Sequence, residues 1–140
     1  MKVSSEQEML DFGAEFAQKI KNQANPSSVV IELVGDVGVG KTTFTRGFAK
    51  ALGAVEPVTS PSFTISKTYA LPDGKTLIHY DFYRLSNPGL MVEDLADNLE
   101  NKNNIILIEW GEEVKNILPK DHITINFSYN NDNTREIKIS

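Results

Sequence analysis

The 140-residue chain has no cysteine. Disulfides, thiolate metal sites and a cysteine nucleophile are therefore excluded. Long apolar runs are also missing. The longest, NIILIEW (Asn104 to Trp110), is far short of the roughly 18 residues that would suggest a membrane span, so no membrane association is expected. Arginine is scarce, with only Arg46, Arg84 and Arg135, and there is one tryptophan, Trp110. Basic charge is not in excess: 14 Lys and Arg stand against 19 Asp and Glu, a formal net charge of -5. A protein that grips a nucleic-acid backbone unaided usually carries a basic stripe, so any nucleic acid in its biology is expected to be held by a partner. The opening MKVSSEQEML has one lysine and then turns polar and acidic, unlike a signal peptide, and a cytoplasmic location is expected.

What is present is ordinary for a globular protein: 40% hydrophobic and 24% charged residues, with no internal repeat, low-complexity tract or linker. One domain, residues 1–140, is expected. Residues 5 to about 22 predict an amphipathic helix, capped by Ser4 or Ser5, with Met9, Phe12, Phe16 and Ile20 at helical spacing. VVIELV (Val29 to Val34) suits a strand buried on both faces. A helix from Lys41 to about Leu52 follows, with Gly53 as its stop. The turn signal PDG predicts an antiparallel hairpin between Phe63 and Phe82. Residues from about Pro88 to Glu100 read as helix, NIILIEW as a second buried strand and EEVKNIL as a short helix. HITINFSY and REIKIS form a last strand pair across NNDN. This pattern implies a three-layer α/β fold, its central sheet mostly parallel and extended by antiparallel hairpin strands.

Between the first strand and the second helix lies GDVGVGKTT (Gly35 to Thr43). Glycine inside a regular element costs stability, so this cluster needs a local reason. The spacing Gly35-x4-Gly40-Lys41-Thr42 matches a phosphate-binding loop, with a strand before it and a helix after it. In such a loop, backbone N–H groups of Asp36, Val37, Gly38, Val39, Gly40, Lys41, Thr42 and Thr43 curl round a phosphate at a helix N-terminus. Lys41 neutralises β and γ charge, and the Thr42 hydroxyl suits Mg²⁺. Two other patterns fail. Thr43 stands where a dinucleotide fingerprint needs Gly or Ala. In NKNN, Asn104 replaces the aspartate of a guanine signature, which favours adenine, hence ATP.

Hydrolysis also needs an acid near the metal and a group that orients water. Glu109 ends an apolar strand, where strand ends in an α/β sheet face a nucleotide. It is assigned to magnesium, directly or through water. Asp81, in HYDFYR, is assigned to polarising the site or positioning water. A plain salt bridge to Arg84 or a lysine is the competing reading for Asp81. Trp110 is either a stacking platform for the purine or a core or interface residue. TSPSFTI (Thr59 to Ile65) is placed where phosphate-loop enzymes keep a γ-phosphate sensor, or is an ordinary turn. His79 reads as a packed or capping histidine.

In order and spacing, GDVGVGKTTFTRGFAKALG, VTSPSFTI, HYDFYRL and IILIEW together resemble the bacterial TsaE family, over roughly Ser5 to Trp110. Val37, Val39 and Ser62 depart mildly from the family pattern, and Met9 stands where the family often has threonine. The resemblance implies an ATPase, weak alone, that binds ATP and Mg²⁺ between the phosphate loop and Trp110. It implies action on a complex of TsaB and TsaD, which would transfer a threonylcarbamoyl group to adenosine 37 of tRNAs reading codons that begin with A. Contact with tRNA would be indirect. The competing readings are a small-molecule or nucleoside kinase, a non-hydrolysing nucleotide-sensing scaffold and, more weakly, a GTPase.

Overall fold

The computed structural model describes residues 1–23, 27–58, 66–82 and 89–140. Among these it is a mixed α/β fold. Seven strands, β1 (Lys2–Val3), β2 (Val29–Val34), β3 (Ser66–Ala70), β4 (Thr76–Asp81), β5 (Asn104–Glu109), β6 (Ile123–Tyr129) and β7 (Arg135–Ile139), form one sheet in the order β1-β7-β6-β2-β5-β4-β3. The helices are α1 (Glu6–Lys21), α2 (Lys41–Leu52) and α3 (Leu90–Leu99), with a 3-10 helix at Gly111–Ile117. Among the described residues, no helix is long and apolar enough to cross a membrane.

The chain divides into two compact units. The first holds β1, α1, α2, β7, β6 from Thr124 and the end of β2 from Leu33. Ser5 caps α1: its Oγ accepts the Glu8 N–H at 3.1 Å, while Glu8 accepts the Ser4 N–H at 2.7 Å. The Glu8 N–H, an orphan donor of the first turn, is thereby satisfied, and the Glu8 carboxylate reaches back to the residue before the cap. The expected stripe of Met9, Phe12, Phe16 and Ile20 is buried. It meets α2 through rings of Phe12, Phe16, Phe44 and Phe48, with Phe127 of β6 edge-on to Phe44 at 5.8 Å. The two helices approach closely because both carry glycine at the crossing. A Cβ on Gly13 would strike the Phe44 carbonyl, and one on Gly47 the Leu10 carbonyl. β1 is an addition to the sequence reading. It pairs antiparallel with β7, Lys2 opposite Glu136, and two residues carry no periodicity that could announce it.

The second unit holds β2 up to Glu32, β3, β4, α3, β5 and the 3-10 helix. β3 and β4 form the antiparallel hairpin expected across PDG, with Gly74 at φ +81°; its expected start, 63–65, lies outside the described residues. β4 and β5 run parallel, and β5 is buried along its whole length. Ile78, Tyr80, Ile106 and Ile108 pack with Leu95 of α3 on one face. Leu77 and His79 are buried too, so β4 is covered on both sides, as apolar parallel strands usually are. EEVKNIL lies in a 3-10 helix, Gly111–Ile117, and Val114 and Leu118 are drawn into the same core.

Candidate functional site

In the first unit, β2 leads into Gly35 and α2 begins at Lys41. Gly38 and Gly40 have φ of +83° and +117°, a region costly for a residue with a Cβ. Gly40 is the N-cap of α2, and a Cβ there would come within 2.7 Å of the Met9 methyl. The loop is anchored from inside by fully buried Val39, whose N–H donates to the Asp36 carbonyl at 3.2 Å, while Val37 is exposed. Lys41 is buried and folds back so that its Nζ donates to the Gly35 carbonyl at 2.5 Å, joining the two ends of the loop. Thr42 and Thr43, in the first turn of α2, are half-buried.

The two helices of this unit begin differently. α1 has a side-chain cap and two acids in its first turn, whereas α2 has neither. The positive end of α2 is thus left without a capping side chain or a first-turn carboxylate, directly after a loop with glycines at positive φ. That arrangement fits an anion. Beside the loop lies a cavity of about 400 Å³, bounded by Gly38, Gly40 and Thr43, by Ser4 and Met9 near the start of α1, and by Arg135. The Arg135 guanidinium lies 4.3 Å from the Tyr129 ring centroid and donates to the Asn133 carbonyl at 2.8 Å. Sequence reasoning did not find this wall. Arg135 opens a strand after a polar turn, and nothing local marks it as facing the loop.

In the second unit, Asp81 and Glu109 are register partners at the ends of β4 and β5, and the Phe82 N–H donates to the Glu109 carbonyl at 3.1 Å. Glu109 is buried, while Asp81 is half-buried. His79 Nε2 lies 2.5 Å from Glu109 Oε2, and the ring is 1% exposed. Trp110 follows Glu109 outside the strand, in the left-handed region at φ +56° and ψ +46°, half-buried against the cluster that contains Leu95. A non-glycine residue there is uncommon and marks a backbone held by its surroundings. Asn101 to Asn104 form the turn into β5: Asn101 Oδ1 accepts the Asn103 N–H and Asn104 donates to the Asn98 carbonyl. That places NKNN at the opposite end of β5 from Glu109, so the guanine signature fails by position as well as by residue. Thr59 to Ile65 and Arg84 lie outside the described residues, and with them the γ-sensor reading and the Asp81–Arg84 pair.

The sequence model of the family described as "Threonylcarbamoyl adenosine biosynthesis protein TsaE" matches residues 3–137. The chain is 35% identical over 130 residues to the tRNA threonylcarbamoyladenosine biosynthesis protein TsaE of Haemophilus influenzae, covering 93% of this chain and 82% of that one. To the protein of the same name from Rickettsia bellii it is 36% identical over 140 residues, covering 99% and 92%. The crystal structure of Bacillus subtilis YdiB superposes with a TM-score of 0.73 at 31% identity, covering 99% of this chain and 82% of that one. A match over nearly the whole chain in sequence and in fold leaves one assignment: the chain belongs to the TsaE family, the threonylcarbamoyl adenosine biosynthesis proteins.

Proposed function

We propose that the chain is an ATPase whose phosphate loop, residues 35–43, takes the phosphates of ATP, and that its nucleotide cycle serves threonylcarbamoylation of adenosine 37 in tRNA. The observation that carries this is the start of α2: a glycine loop with positive φ at Gly38 and Gly40, and a helix with no cap or acid of its own. Amides from Asp36 to Thr43 hold the phosphates, and Lys41 neutralises them. Thr42 and Glu109 serve magnesium, and Asp81 positions water. Among the described residues no three His, Asp or Glu side chains converge as a metal site. In the proposal the ion is instead shared with the phosphates and water, the usual manner of magnesium.

The purine has two candidate places. Trp110 offers an indole directly after Glu109. The cavity beside the loop offers volume in the range of small-molecule sites, together with Arg135 and the hydroxyl of Thr43. The cavity is favoured, because it adjoins the loop within one compact unit and Trp110 is engaged in packing.

The protein acts in the cytoplasm on a TsaB–TsaD complex, which holds the tRNA and performs the transfer. The acidic balance of this chain supports that division of labour. Its own hydrolysis is weak and rises with those partners. The test is reconstitution with both partners, substrate tRNA, threonylcarbamoyl-adenylate and ATP. Wild type sustains multiple turnovers of tRNA modification with phosphate release, and Lys41→Ala does not. A requirement for a separate phosphoryl acceptor would instead identify a kinase. Turnover without phosphate release would identify a nucleotide-sensing scaffold.

A further inference from the structure

His79 has no part in the scheme above, yet it is among the most enclosed polar side chains described, at 1% exposure. It stands two residues before Asp81 on β4, opposite Leu107 of β5. Side chains alternate along a strand, so His79, Asp81, Leu107 and Glu109 share one face of this parallel pair. On that face His79 Nε2 meets Glu109 Oε2 at 2.5 Å. An ionised carboxylate only accepts hydrogen bonds, so Nε2 carries the hydrogen, whether the ring is neutral or charged.

The other ring nitrogen is less well served. His79 Nδ1 is the one buried side-chain nitrogen or oxygen among the described residues that has no hydrogen-bond partner. A buried polar atom without a partner is disfavoured, and an apolar side chain of similar size would fill this buried position without that penalty. The contact made by Nε2 is what the imidazole adds over such a side chain. That contact falls on the carboxylate assigned to magnesium.

We infer that His79 is a positioning residue: its Nε2–H holds the Glu109 carboxylate in the orientation that meets the metal. The inference rests on the magnesium role proposed for Glu109. Groups that hydrogen-bond a metal-binding carboxylate fix its direction, and their loss typically lowers metal affinity about tenfold to hundredfold.

The experiment uses the full chain with ADP and Mn²⁺ as the probe, following free Mn²⁺ by electron paramagnetic resonance, with ADP affinity measured separately without metal. Four variants are compared with wild type: His79→Leu, His79→Gln, His79→Asn and Glu109→Gln. His79→Leu is expected to weaken Mn²⁺ binding to the ADP complex about tenfold or more, with metal-free ADP affinity unchanged. His79→Gln, whose amide nitrogen reaches as far as Nε2, restores most of it. His79→Asn, polar but too short, does not. Wild-type Mn²⁺ affinity in His79→Asn, alongside a loss in Glu109→Gln, overturns the positioning role while leaving the magnesium assignment standing. Should Glu109→Gln itself bind Mn²⁺ like wild type, the magnesium assignment falls and takes this inference with it. If His79→Leu does not fold, the comparison of Gln with Asn decides the matter.

Discussion

Asp81 and Glu109 stand side by side, each the last residue of its strand, on the parallel pair β4 and β5. Their burial differs: Glu109 is enclosed and Asp81 is half-buried. The proposed roles divide the same way, with the enclosed acid on the metal and the more open one near water. Both Asp81→Ala and Glu109→Ala are expected to abolish phosphate release in the reconstituted system while retaining nucleotide binding. Equilibrium binding of ADP and a phosphate-release assay on the same preparations check this. Near-normal turnover in both variants would remove the assignment.

Lys41 makes a different prediction, because it belongs to the loop itself. Its ammonium bonds to the Gly35 carbonyl from a buried position, so the side chain is already held among the loop residues. A hydrogen bond from a charged group contributes about 1.5–3 kcal/mol. Lys41→Ala should therefore weaken ATP binding roughly tenfold to hundredfold. Circular dichroism should still report a folded chain, since α2 keeps its aromatic packing. Unchanged ATP affinity in titration calorimetry would contradict the loop assignment.

The glycines separate close approach from backbone freedom. At Gly47 a Cβ would lie 3.0 Å from the Leu10 Cα and overlap its carbonyl, so α1 and α2 would be forced apart. At Gly74 nothing lies within 4 Å, but φ is +81°. Gly47→Ala is expected to cost about 1–3 kcal/mol or more through overpacking, and Gly74→Ala about 1–2 kcal/mol through backbone strain. Urea denaturation of both variants should rank Gly47→Ala as the more damaging. The reverse order would mean that the helices can separate cheaply.

These cases mark what was legible in the sequence. α1 was legible because Met9, Phe12, Phe16 and Ile20 repeat at the helical period and Ser5 precedes them, and all of that information is local. β5 was legible from its apolar run, and the loop from glycines whose spacing is itself the signal. β1 was not, because Lys2–Val3 is defined only by pairing with β7 at the far end of the chain. The 3-10 geometry of Gly111–Ile117 depends on how Val114 and Leu118 are pulled into a core that local propensity does not record. The His79–Glu109 contact needed the β4–β5 register, and apolar runs such as these carry no register mark. Arg135 reaches the cavity wall only through the folding of β7 beside the loop.

Tyr80 offers a test that involves neither the loop nor the acids. Its hydroxyl donates to Asp94 at 2.6 Å and accepts from Asn98 at 2.7 Å, tying β4 to α3. Burial, and after it the hydrogen bond to the Asp94 carboxylate, pushes the phenol well above its ordinary value. The folded state thus ionises this group later than the unfolded state does. Its contribution is complete below about pH 10 and declines as pH rises from there toward the elevated folded value. Tyr80→Phe should lose about 1 kcal/mol at neutral pH, and the gap to wild type should narrow above about pH 10. Denaturation series across that range check the sign, and a gap that widens with pH would reverse it.

The location of the purine gives the sharpest contrast, because the two candidate places use different residues. Trp110 is half-buried against the Leu95 cluster and held at positive φ, so its ring is already committed to packing. Arg135 borders a cavity that touches Gly38, Gly40 and Thr43 directly. With the base in the cavity, Arg135→Ala should weaken ADP binding by about tenfold, the loss of one charge-assisted contact. Trp110→Phe should leave ADP affinity close to wild type, since an aromatic ring still fills the packing site. A stacking platform at Trp110 would give the opposite pattern: strong quenching of the single indole by ADP and an affinity insensitive to Arg135. Calorimetry on the two variants, read beside wild-type fluorescence, separates the placements, because no other tryptophan contributes to the emission.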